Sequence, residues 1–173
     1  MTDLIERIEQ LSDRDAVGAL KLVLEKLNPD SIAISVTAEE EERRFRLALA
    51  EPEARQQLEA RASIPPAPAA RDDLTRSGDL ARAALFYLAD EGGESRDDVA
   101  HAIDRPEPVG TRDPITLVIV GLVVLALRPK IDIQRDSQEG WKLSFKTEPL
   151  KDSAMAKVLG KLLSVISPGS SGE

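Results

Sequence analysis

His101 lies in the stretch SRDDVAHAID, between Ala100 and Ala102 and one helical turn after Asp97 and Asp98, and it is the only histidine of the chain. A Ser-His-Asp arrangement would have to use it as the base, and such a base needs a positioned nucleophile and an oxyanion site. No GxSxG elbow or comparable turn accompanies it, so His101 reads as a surface histidine near carboxylates. The adjacent pairs Asp72-Asp73 and Asp97-Asp98 stand near expected helix starts, where negative charge complements the helix dipole. Capping accounts for both pairs. Glu39 to Glu42 could suggest a cation site, but consecutive helical residues point in different directions. Three of the four have an arginine four positions on: Glu39 with Arg43, Glu40 with Arg44, Glu42 with Arg46. The run therefore reads as a solvated helix face on which Glu41→Ala should cost almost nothing. With no cysteine there are no disulfides, thiolate metal sites or cysteine nucleophiles. There is also no phosphate loop, GxGxxG, calcium loop or histidine-pair zinc motif. The expectation is a protein without catalytic activity, cofactor or metal.

The elements that carry these residues are mainly helical by composition. Ala, Leu, Arg, Asp and Glu are abundant and aromatics amount to 3% (Phe45, Phe86, Tyr87, Trp141 and Phe145), a balance that suits helices better than an all-strand sandwich. Residues 1–111 hold 14 Lys and Arg against 24 acids, whereas residues 112–167 hold 9 against 6, within a net charge of -8. The sign difference permits attraction within or between chains and works against nonspecific nucleic-acid binding by the N-terminal part. The opening MTDLIERIEQL places acids where a signal peptide needs positive charge, so a cytoplasmic location is expected.

Four helical segments are expected before residue 62. Leu4, Ile5, Ile8 and Leu11 share one face of the first. Ala16, Val17, Leu20, Val23, Leu24 and Leu27 share one face of the second, which Ser12 or Asp13 can cap and Asn28-Pro29 ends. SIAISV alternates Ile32, Ile34 and Val36, a weak strand pattern with no pairing partner nearby, and is read as extended chain. Thr37 and Glu40 have capping-box spacing for the third helix. Glu51-Pro52 breaks that helix and starts a fourth through about Arg61. SIPPAPAA, from Ser63 to Ala70, then reads as a proline-stiffened linker.

Beyond the linker, a helix from about Asp79 to Glu91, a Gly92-Gly93 turn and a helix capped by Ser95 are expected. Asp113 and Pro114 then open DPITLVIVGLVVLALRPK, in which Ile115 to Leu127 contain one polar residue, Thr116, and one glycine, Gly121. The cap, Pro114 at the first helical position and Pro129 beyond the end favour helix over strand despite seven β-branched residues. KIDI and WKLSF alternate across a polar turn, placing Ile131 with Ile133, and Trp141 with Leu143 and Phe145, on one face of a hairpin. That register makes Trp141 a core or interface residue more readily than a ligand-stacking one. A final helix carries Met155, Val158, Leu159, Leu162, Leu163 and Ile166 as an apolar stripe, with Lys157 and Lys161 outside it. The SPGSSGE tail is expected to be disordered. The resulting fold class is α+β: a helical region 1–62, a linker 63–72, a helix-helix-helix-hairpin-helix module 73–167 and a tail 168–173.

From Asp79 to Glu148, the order of helix, glycine turn, helix, helix and hairpin resembles the winged-helix variant of helix-turn-helix domains. In winged-helix DNA readers the third helix offers polar side chains to the major groove and the wing touches phosphate. Here the third helix would be Ile115 to Leu127, with no Arg, Lys, Asn or Gln, and the wing tip DSQEG has two acids and no base. The resemblance therefore implies a winged-helix scaffold turned to protein contact.

The apolar segment limits function most. Thirteen residues at 1.5 Å each span roughly 20 Å, short of the roughly 30 Å of a bilayer core. A helix apolar on every side belongs in a protein interior rather than at a membrane surface. The hairpin, the last helix and the helix pair 79–104 can cover parts of it, and docking of the N-terminal helices or self-association would complete the burial. The expected function is an interaction or regulatory (adaptor) protein acting through helical surfaces, with a protein partner or a second copy and with neither nucleic acid nor a resting membrane. Val118, Leu122, Leu125, Trp141 and Leu159 are its candidate contact residues. A transcription regulator with a degenerate winged helix, or a membrane-active protein that exposes residues 115–127 on activation, is the alternative.

Overall fold

The computed structural model describes residues 3–29, 34–62, 73–91, 93–106, 119–128, 130–136, 138, 140–146 and 154–166. Among them are eight helices and one hairpin: α1 (Leu4–Glu9), α2 (Asp13–Leu27), α3 (Ile34–Leu49), α4 (Pro52–Arg61), α5 (Asp73–Glu91), α6 (Gly93–Asp104), α7 (Ile119–Leu127), β1 (Ile131–Asp136), β2 (Gly140–Phe145) and α8 (Ala154–Ile166). The architecture is mostly helical α+β, with the hairpin between α7 and α8.

Local signals account for several boundaries. The Ser12 hydroxyl accepts a hydrogen bond from the Asp15 amide at 3.1 Å and caps α2. At the other end of α2, both the Asn28 amide and its side-chain Nδ2 donate to the Leu24 carbonyl at 2.9 Å. Pro52 opens α4, where its missing N–H costs nothing. Gly93 takes φ +61°, a left-handed conformation that a side chain would resist, and turns the chain from α5 into α6.

Three expected starts move toward the N-terminus. The extended reading of residues 32–36 gives way at Ile34, where α3 begins, so Thr37 lies inside the helix rather than at its cap. Ile34 is buried and continues the stripe Ala38, Phe45 and Ala48; this burial outweighs the β-propensity of the alternating isoleucines. The helix expected from Asp79 begins at Asp73 and runs through Gly78, and α6 begins at Gly93 rather than after Ser95. The linker 63–72, the tail 168–173 and residues 115–118 of the apolar segment lie outside the described residues.

The expected hairpin forms, and its register sets Ile131 opposite Phe145, Ile133 opposite Leu143 and Arg135 opposite Trp141. Ile131, Ile133 and Leu143 are buried, Trp141 and Phe145 half-buried. Its second strand packs against α3 and α4, where the Arg61 guanidinium lies 4.6 Å from the Phe145 ring centroid.

All nine residues of α7 are buried. The most extensive cover comes from α3, with α5, α2 and α8 on other sides, so the N-terminal helices dock directly on the apolar segment. Gly121 permits the closest approach: a Cβ there would overlap the Ala38 carbonyl and stand 2.9 Å from Ala38 Cα. At the far end of the seam, Arg128 Nη1 donates to Glu41 Oε2 at 3.1 Å. Glu41 is only 7% exposed, which corrects its placement on a solvated face. Two of the three expected pairs form, Arg44 with Glu40 and Arg46 with Glu42, each at 3.0 Å; no Glu39–Arg43 pair occurs among the described residues. Residues from both sides of the linker enter one continuous core.

Candidate functional site

Helices α1, α5 and α8 meet around a half-open cavity of ≈ 300 Å³. Helical spacing supplies its walls: Asp79, Arg82, Ala83 and Phe86 recur at i, i+3, i+4 and i+7 on α5, and Ala154, Lys157 and Lys161 follow one line of α8. Ile8 and Glu9 complete it from α1. The floor is apolar, formed by Ile8, Ala83, Phe86 and Ala154. The rims differ in sign, with exposed Glu9 on one side and Lys157 and half-exposed Lys161 on the other.

Arg82 closes one end, and its hydrogen bonds fix its orientation. It donates to the Leu11 carbonyl at 3.0 Å, to Asp13 Oδ1 at 2.7 Å and to Asp79 Oδ1 at 2.8 Å. Partial burial works against the guanidinium charge, but the hydrogen bonds and attraction of Asp13 and Asp79 outweigh it and push the pKa above the ordinary arginine value. Arg82 therefore stays charged and is occupied in tying α5 to the start of α2. Gly78, one turn earlier, lets the same two helices approach; a Cβ there would stand 2.6 Å from Asp13 Cα.

His101 is exposed, and its Nδ1 lies 2.8 Å from the Asp97 carbonyl oxygen of its own helix. Asp98 faces Lys26 of α2 at 3.9 Å, and Asp104 pairs with Arg7 of α1. Those acids hold α6 to the N-terminal helices. Among the described residues no three His, Asp or Glu side chains converge as a metal site would require.

The contact residues expected from sequence are not brought together on a surface. Leu122 and Leu159 are fully buried and Leu125 is 9% exposed. All three pack into the core of the chain, where the all-apolar helix finds its cover. Trp141 remains partly accessible on β2, and Val118 lies outside the described residues. The cavity lining was missed because it joins three helices far apart in sequence. Its one legible trace was the placement of Lys157 and Lys161 outside the apolar stripe of α8.

No family model matches the chain, and no curated protein or solved structure matches it. Among the described residues no helix is long and apolar enough to cross a membrane.

Proposed function

We propose that this protein is a non-enzymatic interaction or regulatory protein of the cytosol, and that the cavity between α1, α5 and α8 receives a segment of a protein partner. The observation that carries this reading is the pairing of an apolar floor, Ile8, Ala83, Phe86 and Ala154, with the two lysines of α8 at its rim. An apolar anchor flanked by acidic residues would bury its side chain on that floor and set its carboxylates beside Lys157 and Lys161. At ≈ 300 Å³ the space suits one or two side chains rather than a large ligand. A DNA reader draws less support, because it needs an accessible third helix and α7 is enclosed at all its described positions; a membrane-active protein would have to release those same positions from α2, α3, α5 and α8 on activation.

The test is affinity capture from native cytosol with wild-type protein beside the double variant Lys157→Glu, Lys161→Glu, quantified by mass spectrometry. Both lysines are on the surface side of α8, so the variant should melt like the wild type. A partner retained by the wild type and lost from the variant is the expected result. Equal recovery of every captured protein by both forms would refute the role of this cavity.

A further inference from the structure

Among the described residues no element covers the line of α3 opposite its buried stripe, and the pattern along that line is self-complementary. The buried stripe of this helix, Ile34, Ala38, Glu41, Phe45 and Ala48, faces the core. Directly opposite run Val36, Glu40, Arg43 and Leu47, spaced i, i+4, i+7 and i+11 on one line. Val36 is 64% exposed and Leu47 39%, two of the three large apolar residues exposed among the described residues. Glu40 and Arg43 between them are exposed as well. Glu40 has Arg44 as a neighbour at 3.0 Å, whereas no ion pair of Arg43 occurs among the described residues.

We infer that α3 is the interface of a homodimer in which two copies of the helix pack antiparallel through Val36, Glu40, Arg43 and Leu47. The four positions are arranged symmetrically about the point between residues 41 and 42. A two-fold axis there sets Val36 against the partner's Leu47 and Glu40 against the partner's Arg43, and by symmetry each contact occurs twice. Charge selects the orientation. Exposed Glu39 and Glu40 lie in the first half of the helix and exposed Arg43 and Arg46 in the second, so antiparallel packing places acid on base along the whole seam. Parallel packing would set Glu40 on Glu40 and Arg43 on Arg43, which like-charge repulsion disfavours. Opposed helix dipoles favour the same arrangement. The contact line is about 17 Å long, and with so little buried surface the dimer is a weak, reversible one. It uses a different face from the cavity between α1, α5 and α8, so it stands or falls independently of that proposed site.

The test is sedimentation equilibrium from low micromolar to near-millimolar protein, on wild type, Glu40→Arg and Arg43→Glu. Wild type should dimerise with concentration. Each single charge reversal sets like charges against each other at both symmetric contacts and should weaken the dimer about tenfold or more. An equimolar mixture of the two variants restores opposite charge at both positions and should reassociate as a heterodimer. Unfolding of a variant cannot imitate that recovery. Wild type that stays monomeric over the whole range, association indifferent to either reversal, or a mixture that fails to recover would each overturn the proposal.

Discussion

The two most extensive of the seams that join the first 62 residues to the rest of the chain, α3 on α7 and α2 on α5, share a device and differ in everything around it. Each has a glycine notch: Gly121 lets α7 reach the Ala38 backbone, and Gly78 lets α5 reach Asp13. Around Gly121 all neighbouring residues of α7 are buried and apolar, and the one described charge contact, Glu41 with Arg128, sits at the end. Around Gly78 the seam is polar, with Arg82 bridging Asp13, Asp79 and the Leu11 carbonyl at positions water can still reach. The first seam gains from removing apolar surface from water, which is strong and non-directional. The second gains from directional bonds that set one helix start against another, and each of these is modest in net value. The dry seam should therefore tolerate intrusion poorly, and the polar one should tolerate deletion.

Three variants would break or sharpen that contrast. Leu122→Asp puts an unpaired carboxylate into α7, the buried helix of the dry seam, and should cost several kcal/mol, a large part of the roughly 5 to 15 kcal/mol that holds such a domain folded. Thermal melts should show most of the folded population lost, and an unchanged midpoint would mean that Leu122 is not enclosed. Gly121→Ala follows, because the added methyl meets backbone that cannot swing aside. An overpacking cost of about 2 to 3 kcal/mol is expected, a fall in Tm of roughly 5 to 10 °C. A variant as stable as the wild type would show that α3 and α7 can separate freely. Arg82→Met should have the smallest effect, about 1 to 2 kcal/mol by urea titration, since Asp13 and Asp79 are partly exposed and water can take the place of the guanidinium. A loss as large as that for Leu122→Asp would make the polar seam the dominant one.

Much of the fold was legible where a single residue decides the local outcome. Ser12 as a cap, Pro52 at a helix start and the alternation that pairs Ile133 with Leu143 all act over a few residues. What escaped was set by partners distant in the chain. Gly78 looks like a breaker when taken alone, yet α5 runs through it because a side chain there would strike Asp13. Glu41 was grouped with its neighbours, although it alone of the four glutamates has Phe45 rather than an arginine four residues on. That exception marks it as part of the inward stripe with Ala38 and Ala48. Of the cavity only the two lysines could be seen in advance, because Arg82, Phe86 and Ile8 become neighbours only when α1, α5 and α8 pack.

The pairing of α3 with α7 also has a consequence for how the chain is made. The apolar stripe of α3, with Phe45 and Ala48, is complete roughly 80 residues before Leu127 is added. At about 5 to 20 residues per second that interval lasts about 4 to 16 s. Throughout it the ribosome holds a helix whose largest covering element has not yet been synthesised. Until α7 arrives, the inward stripe of α3 lacks most of the surface that keeps water from it in the finished fold.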